Sequence, residues 1–416
     1  MVDIWLPYGK TDVCARVEGR NLMNIVKGVY GKPRVQDVEG ELERALKNPV
    51  GSKTLADVAK RGDKVALALN IPEPGIAKLV ASAIKREISQ FGLGSGDLTV
   101  VFANNPLIYG AHHIFNQLET EISPLGVNTA VHNPFRDNIY VGDAGSGIKV
   151  HLDRKIAEFK IKISASIFEP NPYTLYNCGE VGVSLGLSSM ETVRDILAPA
   201  LKAESPGEEI FKNAVEASQI VNVDFSISVF RNLDGEAIRF FAGEPREVFH
   251  ESLSFADSIY KVSVDGEAEI VLVSPGGSPF DANIVRACGC IENAVKIVGK
   301  NGVIILVAEC SDGYGDPEFQ RIIREGGGDL NMLEKAVGDR FSVSGFIAYR
   351  FLKAFKKASV VMVSAAPEYY ASEIPGLRIF RTVNEALNYA LNKVGGGAKV
   401  SAILNGSLII PVVRRG

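Results

Sequence analysis

Residues 166–186 read Ser166-Ile-Phe-Glu-Pro-Asn-Pro-Tyr-Thr-Leu-Tyr-Asn-Cys-Gly-Glu-Val-Gly-Val-Ser-Leu-Gly186 and follow from the strand-like run Phe159–Ile167. Two prolines, three glycines, two tyrosines, two carboxylates and one cysteine crowd this short segment. Such a loop, leaving an apolar strand, is where parallel α/β proteins place ligand-contacting groups. The rest of the chain repeats the same order of strand, loop and helix.

Upstream, Lys64–Leu69 (KVALAL) is an apolar strand, and Ile76–Phe91 carries Ile76, Leu79, Val80, Ala83, Ile84 and Ile88 at helical spacing. Leu98–Ala103 reads as a second strand and His112–Glu121 as a helix. Downstream, helices are expected at Met190–Leu201 and Glu208–Val221, and an alternating strand at Asp224–Arg231. Pro245–Tyr260 reads as a connecting helix. Beyond it the strands Ala268–Ser274, Gly302–Ala308, Ser359–Ser364 and Val400–Leu404 alternate with helices at Ala282–Val298 and Val383–Lys393. The fold class expected is α/β, two domains each with a mainly parallel sheet flanked by helices. The boundaries fall at residues 1–243 for the first domain, 244–265 for a helical linker and 266–416 for the second domain.

The bulk composition narrows the function classes. At 416 residues the chain exceeds the size of one core, and 46% hydrophobic with 23% charged residues is ordinary for a globular protein. A net charge of −4 offers no concentrated basic face for nucleic acid. The basic clusters are short: Arg414-Arg415, and Lys353–Lys357 on what reads as the solvated side of a helix. No apolar run approaches the ~20 residues needed to span a bilayer, and the start, MVDIWLPYGK, does not read as a secretory signal. The five scattered cysteines, Cys14, Cys178, Cys288, Cys290 and Cys310, suit a reducing cytoplasm better than a disulfide framework. Neither a nucleic-acid nor a membrane partner is expected; a homo-oligomer is left open.

Four strand-to-helix loops hold the candidate chemistry. In Asn70–Gly75, Asn70 is a binding group and Glu73 an acid, base or anchor, against the simpler reading that Glu73 favours the following helix N-terminus. Asn105 follows the next strand, where it either binds an oxyanion or caps a turn. His112 and His113 point about 100° apart on a helix, so they cannot share a metal. The opening loop supplies Glu169, Asn171, Tyr173 and Glu180, two carboxylates able to divide acid and base roles if buried differently. Cys178 lacks a neighbouring cation to stabilise a thiolate and reads as packing. Gly276 and Gly277 allow close backbone approach to an anion, and Asp281 is either a ligand group or a helix N-cap. Cys288 and Cys290 sit on different faces of their helix. Glu309 ends a strand of the second domain. No metal ligand set emerges.

The central loop resembles that of the nickel-dependent lactate racemase family, which reads Glu-Pro-His followed by a Gly-rich turn carrying a lysine. The resemblance extends over nearly the whole chain: Leu6–Lys10, Ala45–Gly51, Arg61–Val65, Phe241–Pro245, Ser274–Asp281, Gly302–Glu309 and Asn405–Pro411. It implies a nickel pincer nucleotide tethered to a lysine, a nickel-ligating histidine, two acid–base histidines, and Arg and Lys groups on a substrate carboxylate. Position by position these are replaced. The family's Asp-x-Thr-Arg-Pro becomes Asn70-Ile71-Pro72-Glu73-Pro74, and its Gly-Thr-His becomes Asn105-Pro106-Leu107. Asn171 stands for the second histidine, Val181 for the tether lysine, Leu197 near the nickel histidine, and Phe280 for a lysine beside Asp281. Residues 163–200 contain no histidine and no lysine, so a misaligned tether in this region is excluded.

The expected function is therefore a lactate racemase-like protein that binds a small polar metabolite in an interdomain cleft. Whether it is an enzyme is left open; the expected candidates, if it is one, are an isomerase or another enzyme acting through Glu73, Glu169, Glu180 or Glu309, without a bound cofactor and without nickel-pincer racemisation. The alternatives are a non-catalytic paralogue serving as ligand sensor or scaffold subunit, and a 2-hydroxy-acid racemase with a rearranged cofactor site.

Overall fold

The computed structural model describes residues 1–28, 34–51, 54–108 and 111–414, without the side chains of residues 111–113. The chain divides into two compact units.

One unit comprises Tyr30–Glu169 and Thr174–Ser258. Its six-stranded sheet has the order Ala237–Gly243, Phe225–Arg231, Ile161–Ile167, Val65–Asn70, Leu98–Phe102, Asn128–Val131. The five strands after the first run parallel, and Ala237–Gly243 is an antiparallel edge. Val65–Asn70 is buried along its whole length, which is why its sequence is apolar without alternating with polar residues. The period of two survives as a difference in size. Val65, Leu67 and Leu69 pack with Val80 and Ile84 of the Pro74–Ser89 helix. Ala66 and Ala68 pack on the other face with Val183 and Leu187. Fully burying a side chain such as Leu67 contributes about 1.5–3 kcal/mol. The small residues let the Gly179–Gly186 helix approach the sheet closely: a Cβ on Gly186 would lie 2.9 Å from that of Ala103.

The other unit comprises Met1–Val29, Pro170–Tyr173 and Ile259–Gly416. Its six strands are all parallel, in the order Arg378–Phe380, Ser359–Val363, Val298–Val307, Ala268–Val273, Val400–Ile403, Leu22–Val26. The last strand comes from the beginning of the chain, and the hairpin Val2–Tyr8/Thr11–Val17 precedes it. Alternation in the hairpin is sharp: Ile4 and Leu6 enter the core with Leu272 and Ile305, whereas Trp5 is exposed.

Two elements depart from the sequence reading. Asp224–Arg231 reads as an alternating strand with a polar face, yet Ser226 and Ser228 are buried. The strand Phe225–Arg231 is paired on both sides, and its small serines fill the interior. The expected Ala282–Val298 helix is two helices, Ile284–Cys288 and Ile291–Ile297, broken at Gly289-Cys290, and the next strand starts at Val298. Pro245–Tyr260 is helical over its full expected span. No helix among the described residues is long and apolar enough to cross a membrane.

Candidate binding groups at the strand ends

In the first unit the carboxyl ends of four parallel strands carry the polar groups. Asn70 ends the strand Val65–Asn70 and is buried; its Nδ2 donates to Ser166 Oγ at 3.1 Å and to Asn177 Oδ1 at 3.0 Å. A Cβ on Gly182 would collide with the Asn70 side chain, so the glycine is what allows this network under the helix. Asn105 is also buried; its Oδ1 accepts from the Leu107 N–H at 3.0 Å, the turn-capping alternative, while its Nδ2 has no protein partner.

Arg231 organises the carboxylates, and it was not among the candidate residues read from sequence. Its guanidinium donates to Glu169 Oε2 through Nε at 3.0 Å and Nη2 at 2.6 Å, and pairs with Glu73 Oε1 through Nη1. The sheet explains the meeting. Val229 and Ile167 are the last paired residues of their ladder, and Arg231 and Glu169 each follow two residues farther along. Glu73 is the N-cap residue of the Pro74–Ser89 helix but makes no side-chain cap bond. Its Oε1 is committed to Arg231, and its buried Oε2 has no partner. Two carboxylates thus share one guanidinium, leaving a formal excess of negative charge. Burial pushes the Glu169 carboxyl upward, toward about 8. Arg231 draws it back by stabilising the charged form, so Glu169 is raised but titrates below that value.

Glu180 lies in the first turn of the Gly179–Gly186 helix. Burial pushes it up to about 7, against the partial relief of its own backbone N–H and the Cys178 thiol. A raised carboxyl means that the folded chain keeps a proton the unfolded chain has released. Stability owed to this group is therefore full below about 4.5 and is lost as pH climbs through about 7. Glu180→Gln is expected to match the parent near pH 4.5 and to exceed it by about 1–3 kcal/mol at pH 8. Urea unfolding at both pH values checks this; a pH-independent difference would contradict it. Cys178 is fully buried, and burial pushes its thiol well above the ordinary range, so it packs rather than reacts.

The second unit gathers a different set. Asp281 is fully buried: Oδ2 accepts the N–H of Gly9 at 2.7 Å and of Glu309 at 3.1 Å, and its carbonyl accepts from Cys310 at 2.8 Å. Asp281 Oδ1 has no protein partner. The N-cap role weighed for Asp281 falls to Asn283, which accepts from Arg286 N at 3.0 Å. Glu309 lies against Gly9, whose φ of +55° and missing Cβ leave room for the carboxylate. Burial, followed by the charge of Glu309, pushes the Tyr8 hydroxyl up to about 12. Gly277, at φ +72°, would bring a Cβ within 2.9 Å of the Gly9 carbonyl; Gly276 lies beside Asn405. Asn171 Oδ1 accepts from Tyr173 N at 2.9 Å, and the Tyr173 hydroxyl lies 3.7 Å from Cys288 Sγ. Cys288 and Cys290 are buried, and their thiols turn back to the Val285 and Ala287 carbonyls.

The candidate residues thus fall into two groups. Asn70, Glu73, Asn105, Glu169 and Glu180 belong to the first unit; Asn171, Tyr173, Gly276, Gly277, Asp281 and Glu309 belong to the second. The side chains of His112 and His113, and residue Arg415, lie outside the described residues. Among those described, no group of three or more His, Cys, Asp or Glu side chains is arranged to hold a metal ion.

Residues 8–199 match the lactate racemase N-terminal domain and residues 264–411 the lactate racemase C-terminal domain. The chain is 22% identical to the lactate racemase of Thermoanaerobacterium thermosaccharolyticum, over 99% of each chain. It is also 22% identical to that of Lactiplantibacillus plantarum, over 99% of its own length and 100% of the relative's. The structure of the T. thermosaccharolyticum lactate racemase apoprotein superposes with a TM-score of 0.88 at 21% identity, covering 100% of both chains. A Thermotoga maritima protein follows at 0.63 and 14%, covering 93% of this chain and 100% of its own. The chain belongs to the lactate racemase-like family, and its α/β fold is that of the family, as the sequence led one to expect.

Val181 is fully buried within the Gly179–Gly186 helix, and residues 163–200 contain neither lysine nor histidine.

Proposed function

We propose that this protein binds a small polar metabolite, neutral or cationic, at the strand ends bearing Glu73, Glu169 and Arg231, and that it does not racemise lactate by pincer chemistry. The observation that carries this reading is the sharing of Arg231 by two carboxylates. Where the family resemblance implies an arginine for the substrate carboxylate, this chain has Glu73, and the Arg231 guanidinium beside it is already committed to Glu73 and Glu169. A simple carboxylate ligand would meet excess negative charge there. Glu180, poised near neutrality, and Glu169 are the groups suited to proton transfer, and family membership makes an isomerase the enzyme class to assay first. Free cysteines throughout support a reducing cytoplasm as its compartment.

A second reading, a non-catalytic sensor or scaffold subunit, is supported by how fully Glu169 and Asn70 are bonded within the protein. Thermal-shift screening with amines, amino alcohols, polyols and 2-hydroxy acids separates a binding protein, enzyme or sensor, from a scaffold. The binding reading expects stabilisation by a neutral or cationic compound, lost in Glu73→Gln or Glu169→Gln. No shift with any class favours the scaffold. Purified protein is further expected to show an unmodified intact mass and no stoichiometric nickel; one nickel per chain with a covalent adduct would overturn the lost-pincer reading.

A further inference from the structure

His132 follows the edge strand Asn128–Val131, and its side chain is fully enclosed. Both ring nitrogens face oxygen: Nδ1 lies 3.0 Å from Asp153 Oδ2, and Nε2 lies 2.9 Å from the Ser188 carbonyl. A carbonyl only accepts. The other oxygen of Asp153, Oδ1, takes the Lys155 N–H at 2.9 Å. Burial acts to raise the Asp153 carboxyl, but the bonds from His132 and the Lys155 backbone, with the Lys155 charge, hold it below the ordinary range, so Oδ2 is an acceptor. A neutral imidazole has one donor and one acceptor nitrogen, so either tautomer would set a lone pair against an oxygen in a dry site.

We propose that His132 donates from both ring nitrogens, Nδ1 to Asp153 and Nε2 to the Ser188 carbonyl, and that this double donation pins the corner following the Gly179–Gly186 helix. The corner is where several segments of this unit are tied together. Asp153 N–H donates to Leu187 O at 2.8 Å, Asn104 N–H to Gly186 O at 2.7 Å, and His132 N–H to Phe102 O at 3.1 Å. Leu152 bridges Ser188. The helix held there carries Glu180 in its first turn, and Asn104 adjoins the Asn105 loop, so the pin supports the candidate groups without touching them. The charged group on the ring is Asp153, with Lys155 acting on the same carboxylate; Ser188 and Asn104 contribute only neutral groups.

With five histidines, the ring nitrogens are readable by long-range nitrogen–proton NMR on the wild-type protein. His132→Asn assigns the signal; if that variant does not fold, single His→Gln variants at the other four positions assign it by elimination. The expected result at pH 7.5 is two protonated-type nitrogens for His132. In His132→Asn, or in His132→Gln where that variant does not fold, exchange of the Asn104 and Asp153 amides at pH 7.5 is expected to be more than tenfold faster than in the wild type. An acceptor-type nitrogen on His132 at pH 7.5, or amide exchange unchanged in the variant, overturns the proposal.

Discussion

Replacing Arg231 by leucine is expected to destabilise the protein by about 3–5 kcal/mol at pH 8, the cost of leaving partly buried carboxylates without their cation. Glu73 and Glu169 would then face each other's charge with no guanidinium between them, and each would take up a proton more readily. The penalty should accordingly shrink at pH 5, where protonation relieves it. Adding Glu73→Gln and Glu169→Gln to Arg231→Leu should return most of the loss at pH 8, since the variant then buries no net charge. Urea unfolding of the single, double and triple variants measures this directly, as a mutant cycle among groups in contact. If Arg231→Leu costs the same at both pH values, the loss comes from packing of the arginine stem and not from the ion pairs.

Gly243→Ala is expected to cost on the order of 3 kcal/mol, more than a helix or strand glycine ordinarily does. Gly243 has φ of +144°, and a Cβ there would lie 2.2 Å from the Val50 carbonyl oxygen and 2.6 Å from its nitrogen. Those are backbone atoms held by Val50 N–H to Ala242 O at 2.8 Å and Glu244 N–H to Val50 O at 2.9 Å, so no flexible side chain can yield. The unfolding midpoint should fall with the m-value unchanged. Gly235→Ala makes the control: it too has positive φ, at +78°, but open space around it. A similar loss in both would assign the effect to backbone strain alone.

This contact also shows what the sequence made legible. Ala45–Gly51 and Phe241–Pro245 lie far apart in the chain and entered the reading only as pieces resembling one family. In the fold they are one joint, with Val50 bridged to Gly243 and Gly51 lying beside Glu244. The strands of the parallel sheets were legible because burial on both faces leaves continuous apolar runs such as Val65–Leu69. The hairpin Val2–Tyr8/Thr11–Val17 and the strand Leu22–Val26 were not read as strands; the hairpin mixes charged and apolar residues, and Leu22–Val26 owes its place to Val400–Ile403, hundreds of residues away.

The candidate site was legible as types of residue at strand ends, and less so as pairings. Glu73 and Glu169 stood out as unusual carboxylates, but their common partner closes a strand whose pattern draws attention to its apolar residues. Asp281 was readable as polar and placed before a helix. That it turns to Gly9, 272 positions away, follows only from three-dimensional closure.

The strand Leu22–Val26 has a consequence for how this molecule comes into being. Its partner is Val400–Ile403, with Ile25 beside Ala402, so the first strand of that sheet to leave the ribosome pairs with the last one made. Leu22–Val26 must wait without its sheet partner, and Ile4 and Leu6 of the hairpin without the core they enter, until Val400–Ile403 has been made. Closing so long a loop before any reward is collected makes the last stage of assembly slow, and it is the stage most open to capture by chaperones or to pairing with a neighbouring chain.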